Sequence, residues 1–246
     1  MTLTVHFIGT MHYDPLGASR LEKALAIERP DAIACELSPK LWEDIASRRL
    51  FEVEKRFLDE CKRRGLRQEA YEYFLEQLQK IQFEPRISLA YGQREGIPVH
   101  WVDSEKRYDE ERPKIEKVIE KTEKAEVVEE YVRYINRMDL NKMRTQTIET
   151  DIIEKQYAYF HKLFTGQNHG FFHRLREWRL SLKNKAAILG RDDHAEAEIR
   201  EKVSDGKLVI VYGAAHCLHD LMGYTLFSRL QDFKPTRTVL ADERYR

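Results

Sequence analysis

Two short turns near opposite ends of the sequence combine glycine with histidine. An apolar segment ends at Gly9 and His12 follows three residues later; a second apolar segment ends at Gly213 and His216 follows at the same spacing. Glycine lets a ligand approach the backbone closely, and a histidine can transfer a proton or bind a metal. One such motif arises easily by chance, but two copies, each after an apolar strand, predict a shared site. The alternative is that both histidines are hydrogen-bonded turn residues without a ligand.

Two carboxylates follow other apolar segments. Glu36 ends the stretch Ala-Ile-Ala-Cys-Glu, and burying an unpaired carboxylate costs several kcal/mol, so it should face a cation, a metal or a proton donor. The alternative for Glu36 is an ion pair with lysine or arginine in the core. Asp103 ends a later segment, where two interpretations carry equal weight: contact with a substrate, or capping of a helix N-terminus.

Arg191 and Asp192 follow a glycine. Gly190 is expected to end one helix and Asp193 to cap the next, which would leave this pair on a short connection facing a cleft. Arg191 is a permanent cation able to hold a carboxylate or a developing oxyanion, and Asp192 is predicted to contact the substrate. The alternative is that Arg191 is an ordinary surface charge.

These motifs together resemble the TraB/PrgY/GumN family. The stretches are Ile-Gly-Thr-Met-His near the N-terminus, Arg-Pro-Asp-Ala-Ile-Ala-Cys-Glu-Leu after it, Arg-Asp before a helix, and Val-Ile-Val-Tyr-Gly-Ala-Ala-His near the C-terminus. The family includes the Tiki proteases and is distantly similar to erythromycin esterase and the haem-binding ChaN proteins. The resemblance implies a pseudo-symmetric α/β fold, metal-dependent peptide hydrolysis as in the Tiki branch, and a site formed by His12, Glu36, Arg191 and His216.

The elements that position these residues are short apolar strands alternating with helices. Strands are predicted at residues 3–9, 32–37, 97–102, 208–212 and 236–240. A helix at 19–28 joins the first two strands in a βαβ unit, so these strands should be parallel, with Gly9 and Glu36 at the same edge. The predicted fold class is α/β, with a small mixed, mainly parallel sheet and two units of strand, Gly-x-x-His loop and helix.

Most of the remaining chain has the apolar periodicity of amphipathic helices. The pattern covers residues 42–95 and 105–155, and further helices are predicted near 175–189 and 218–230. No flexible linker divides the sequence. We therefore expect one domain over residues 1–246, with a helical insert at about 40–200 that the third strand interrupts.

Composition narrows the classes of partner. Lysine plus arginine and aspartate plus glutamate number 42 each, so no net field attracts nucleic acid or an anionic membrane. No apolar run approaches the length of a membrane span, and three cysteines without Cys-x-x-Cys spacing favour a reducing, cytoplasmic compartment. The expected partner is a peptide or small-molecule substrate, and the oligomeric state stays open, a homo-oligomer included.

Three functions compete. The leading hypothesis is a hydrolase in which His12, Glu36 and His216 hold a divalent metal (zinc, manganese or iron) that activates water, while Arg191 stabilises negative charge on the substrate. In a metal-free variant, a histidine of the same site acts as general base. The alternative is a protein that binds a ligand or haem without turnover. A helical interaction scaffold built on residues 105–155 is least favoured, because it leaves both Gly-x-x-His turns without a role.

Overall fold

In the part of the chain that it describes, a computed structural model shows a β-sheet whose strands are connected mainly by helices. The predicted helix near 175–189 lies outside the residues that the structure describes. Those described residues are 3–46, 49–80, 83–105, 108–109, 113, 120, 124–139, 150–165, 190–220 and 222–245.

The sheet has five strands in the described part of the chain. They are β1 (Thr4–Thr10), β2 (Ala32–Cys35), β3 (Val99–Trp101), β4 (Lys207–Gly213) and β5 (Thr236–Val239). Their order across the sheet is β3-β2-β4-β1-β5, and every pairing between neighbours is parallel. The predicted α/β class is confirmed, and the sheet is parallel throughout these strands instead of mixed.

The neighbouring strands β1 and β4 carry much of the apolar core. Side chains of a parallel sheet are covered on both faces, so its strands are apolar almost continuously. In β1, Phe7 and Ile8 are fully buried, and in β4 the run from Leu208 to Tyr212 is fully buried. This burial accounts for the two apolar segments that the sequence places before its Gly-x-x-His turns.

Helices occupy most of the connections. After β1 comes α1 (Gly17–Glu28), and α5 (Phe83–Glu95) precedes β3. Between β3 and β4 lie α6 (Ala125–Arg137), α7 (Thr150–Thr165) and α8 (Arg191–Lys202). The remaining helices of the described chain are α2 (Pro39–Ala46), α3 (Arg49–Arg63), α4 (Gln68–Lys80) and α9 (Leu226–Arg229).

The chain separates into two compact units. The first contains the whole sheet and consists of Met1–Ser38, Gln82–Ser104 and Thr150–Arg246. The second is helical, consists of Pro39–Ile81 and Glu105–Glu149, and buries apolar side chains of α3 and α6 such as Leu58 and Val132. The expectation of one domain over residues 1–246 stays a prediction. Part of the helical insert expected at about 40–200, including α8, belongs to the unit that contains the sheet.

Two local predictions were wrong. Helix α8 begins at Arg191 with Gly190 as its N-cap in a left-handed conformation, so Arg191 lies in the first helical turn and Asp193 is not the cap. After β4, the chain forms a short 3-10 helix, Ala214–Cys217, instead of entering a long helix at 218. Consequently His216 lies within a tight helical turn, whereas His12 lies before α1 in a turn that the N–H of Asp14 closes on the carbonyl oxygen of Met11 at 2.9 Å.

Candidate active site

The predicted site residues come from the carboxyl ends of adjacent strands. Asp103 follows β3, Glu36 follows β2, His216 follows β4 and His12 follows β1, which is also the order of these strands across the sheet. The chain leaves β1 towards β2 on one side and leaves β4 towards β5 on the other. Each connection therefore passes the other strand, and β1 and β4 are the neighbouring strands from which the connections run in opposite directions. Ligands of open α/β sheets bind at such a reversal of direction.

His12 makes a hydrogen bond through one of its two ring nitrogens. Its Nδ1 lies 2.9 Å from Oε1 of Glu84, a buried carboxylate at the start of α5. Because a carboxylate accepts, Nδ1 carries the proton and Nε2 faces away from α5. The hydrogen bond with Glu84 raises the pKa of His12 to about 9, with a further contribution from Glu36. The side chain is 54% exposed, so a protonated imidazole is accessible to a substrate at neutral pH.

His216 has the same arrangement in a more buried place. Its Nδ1 lies 2.6 Å from Oδ1 of Asp192, whose Oδ2 accepts the backbone N–H of Leu226 at 2.6 Å. Asp192 is completely buried, and this burial raises its pKa above the usual range. The pair has the form of the aspartate and histidine of a hydrolytic triad, in which the carboxylate fixes the tautomer and the orientation of the ring.

Glu36 lies between the two histidines and an arginine. Its Oε2 accepts the backbone N–H of Gly213 at 2.6 Å, and its Oε1 accepts a hydrogen bond from Arg191 and lies 3.6 Å from Nε2 of His216. Burial by itself would raise the pKa of Glu36, but His216, Arg191 and His12 lower it to about 2. Glu36 is therefore ionised at every physiological pH.

Arg191 bridges two strand ends. Its Nε and Nη2 donate to the two oxygens of Asp103 at 3.1 and 2.7 Å, and Nη2 also donates to Glu36. Nearby carboxylates raise the pKa of Arg191 further despite the opposing effect of burial. Within the described part of the chain, no residue accepts a hydrogen bond from Nη1 of Arg191. The fork of the guanidinium is thus fixed on one side, and Nη1 stays available to a substrate oxygen.

Glycine matters in these turns because of space, not because of an unusual backbone. Gly213 has φ of −53°, which any residue can adopt, but a Cβ there would lie 3.1 Å from Oε2 of Glu36 and 3.5 Å from Nε2 of His12. A Cβ on Gly9 would lie 3.2 Å from Ala214 and from the ring of Phe164. Both glycines allow the two turns to approach each other and the carboxylate between them.

The predicted metal ligands fit a metal site only in part. Both histidines bind carboxylates through Nδ1, which is the usual support of a metal-binding imidazole, and this feature fits the prediction. Glu36 fits poorly, since one oxygen is held by a cation and the other by a backbone N–H. No three His, Cys, Asp or Glu side chains form a metal-binding group among the described residues. The divalent metal stays a prediction.

The sequence missed one member of the site and gave another a different role. Glu84 lies 72 residues from His12 in the chain, and the sequence analysis gave it no role in the site. Asp192, predicted to touch the substrate, has no exposed surface and contacts His216. The structure brings together all six predicted residues: His12, Glu36, Asp103, Arg191, Asp192 and His216.

Comparison with known proteins gives no match. No protein-family model matches the chain, and neither the curated proteins nor the solved structures include a significant match to it. In the described residues, no helix is long and apolar enough to cross a membrane. The function is therefore argued from the geometry of the site.

Proposed function

We propose that the protein is a hydrolase whose two histidines act as an acid and base pair. The observation that carries this proposal is that His12 and His216 each bind a buried carboxylate through Nδ1 and approach the same glycine from adjacent strands. An imidazole fixed in this way has a defined tautomer, and Nε2 is the nitrogen left to transfer a proton, as general acid and base catalysis requires.

The two histidines differ in role because their surroundings differ. His216, held by Asp192, accepts a proton from water through Nε2, and the hydroxide formed attacks the carbonyl carbon of an ester or amide. His12, protonated at neutral pH through Glu84, donates its proton to the leaving oxygen or nitrogen. Arg191 stabilises the negative charge on the carbonyl oxygen through Nη1, while Glu36 and Asp103 hold the guanidinium in place. Exchange with solvent then returns both histidines to their starting states.

The resemblance to the TraB/PrgY/GumN family supports hydrolysis as the reaction class and is part of this proposal. A metal-dependent form of the same hydrolase is the second candidate, since Nδ1 of each histidine is held by a carboxylate and Nε2 is the atom that would bind a metal. Water activation would be the chemistry supplied by a divalent metal. A peptide or small-molecule substrate and a cytoplasmic location remain part of the proposal.

The experiment is a survey of chromogenic esters and fluorogenic peptides with the purified protein. We expect turnover that His12→Ala and His216→Ala each reduce at least about 100-fold, with unchanged circular dichroism. His194→Ala is the matched control, because this half-exposed histidine belongs to α8 and faces Glu198. The rate should also fall above pH about 9, where His12 loses its proton.

Chelation separates the alternatives. The acid and base mechanism predicts the same rate with and without EDTA, whereas loss of turnover that zinc or manganese restores would establish the metal-dependent form. A wild-type protein that hydrolyses none of these substrates contradicts the proposal. If that protein instead gives a Soret band with haemin, the function is binding without turnover.

A further inference from the structure

A buried tyrosine of α7 contacts the turn that carries His12. Tyr157 is 1% exposed, and its hydroxyl accepts the backbone N–H of Met11 at 3.0 Å. Met11 directly precedes His12 in the chain. Helix α7 has none of the Gly-x-x-His motifs, so this contact links the candidate site to a part of the sequence without any apparent chemistry.

The charge of Asp14, at the other end of the turn, also acts on Tyr157. Asp14, two residues after His12, is buried and accepts the N–H of Leu16 and a guanidinium N–H of Arg20, both at 2.9 Å. Burial of Tyr157, together with the charge of Asp14, raises the pKa of Tyr157 well above its usual value. The phenol therefore stays protonated, and its oxygen accepts the N–H of Met11.

Control of the backbone matters here because the His12 side chain has little other support. It is half exposed, and Glu84 is its hydrogen-bond partner among the described residues. The position of Nε2 thus depends on the position of the turn. A displacement of about 1 Å in a catalytic group can cost about 100-fold in rate.

We infer that Tyr157 is a positioning residue, whose hydroxyl holds the backbone of Met11 and thereby fixes His12 for proton transfer. The expected effect of Tyr157 on the reaction rate rests on the proposed function. Its effect on the position of the His12 ring does not, and that effect is measurable without any substrate.

The test compares Tyr157→Phe with Tyr245→Phe. Tyr245 is also fully buried, and its hydroxyl donates to the carboxylate of Glu28 at 2.6 Å, in a cluster around His6. Each variant loses one buried hydroxyl that takes part in a hydrogen bond, so we expect similar decreases in thermal stability. Tyr157→Phe alone should lower kcat by about 10- to 100-fold at nearly constant KM.

Two spectroscopic readouts complete the test. In Tyr157→Phe, amide hydrogen exchange at Met11 should accelerate and the NMR signals of the His12 ring should shift, while Tyr245→Phe leaves both unchanged. Equal kcat losses in the two variants, or unchanged Met11 exchange and His12 signals in Tyr157→Phe, would overturn the inference. If the wild type has no turnover but the Tyr157→Phe spectra change as expected, the positioning stands and the proposed hydrolase fails.

Discussion

Replacement of Asp192 by asparagine tests whether His216 is the catalytic base. The backbone N–H of Leu226 can only donate, so an asparagine in this place must turn its oxygen towards Leu226 and its NH₂ group towards His216. Nδ1 of His216 must then accept, and the proton of the neutral ring moves to Nε2. The residue keeps its size and its two hydrogen bonds, but the base loses the lone pair that accepts a proton from water.

The expected result of Asp192→Asn follows from that change of tautomer. General base catalysis contributes about 10²- to 10⁴-fold in rate, so kcat should fall by this factor, equivalent to roughly 3–5 kcal/mol in activation free energy. Stability should change little, because no buried group loses a partner. The assays are ester hydrolysis near pH 7.5, thermal unfolding, and ¹⁵N NMR of His216, which reports which ring nitrogen carries the proton.

The matched control is Asp220→Asn. Asp220 is also buried and accepts the backbone N–H groups of Met222, Tyr224 and Thr225, so its replacement should lower stability while leaving the His216 tautomer unchanged. The reasoning is refuted if Asp192→Asn retains near wild-type kcat, or if its ¹⁵N spectrum still shows the proton on Nδ1.

Three further predictions concern stability and space. Burial lowers the pKa of His6 to about 4, so between pH 6.5 and 4 the folded state binds fewer protons than the unfolded chain. Urea titrations should therefore show that the free energy of unfolding decreases by about 3 kcal/mol as pH falls from 6.5 to 4. His6→Gln should make the free energy of unfolding less dependent on pH, and an equal pH dependence in both proteins would contradict the prediction. Gly213→Ala should reduce turnover at least about tenfold and cost about 1 kcal/mol in chemical unfolding, because its Cβ crowds Glu36; full activity would disprove the close-approach argument. Tyr212→Phe should leave the free energy of unfolding unchanged or raise it by about 1 kcal/mol, since the buried Tyr212 hydroxyl has no hydrogen-bond partner among the described residues. A clear decrease in the free energy of unfolding would mean that this hydroxyl does make a hydrogen bond.

The sequence was sufficient to predict where the strands end, but not which strands lie next to each other in the sheet. Parallel strands place their carboxyl ends at one edge, so His12, Glu36 and His216 could be grouped before any coordinates were known. The insertion of β4 between β1 and β2 could not be predicted, because pairing between distant segments leaves no local pattern.

The residues that support His12 could not be predicted either, because they too come from distant parts of the chain. Glu84 and Tyr157 belong to helices whose sequence shows ordinary amphipathic periodicity, and only packing brings them to the His12 turn. A buried carboxylate beside a helix start and a tyrosine in an apolar stripe each have common structural explanations. Residues that orient a catalytic group therefore lack the distinctive spacing that the Gly-x-x-His turns possess.

The balance of charge at the site explains why His12 has a carboxylate partner and a raised pKa. Glu36, Glu84, Asp103 and Asp192 have side chains at most 11% exposed, and among the described residues of the site Arg191 is the permanent cation. Buried carboxylates require nearby positive charge, and the protonated imidazole of His12 supplies part of it at neutral pH.

A divalent metal could supply the same positive charge, but only after the histidine nitrogens that bind it have lost their protons. Metal binding and proton donation therefore exclude each other at His12. Turnover that is insensitive to EDTA and falls above pH about 9 would show that protons carry this charge. Turnover that needs metal and increases as His12 deprotonates would assign the charge to the metal, and would make the hydrogen bond between His12 and Glu84 the support of a metal ligand.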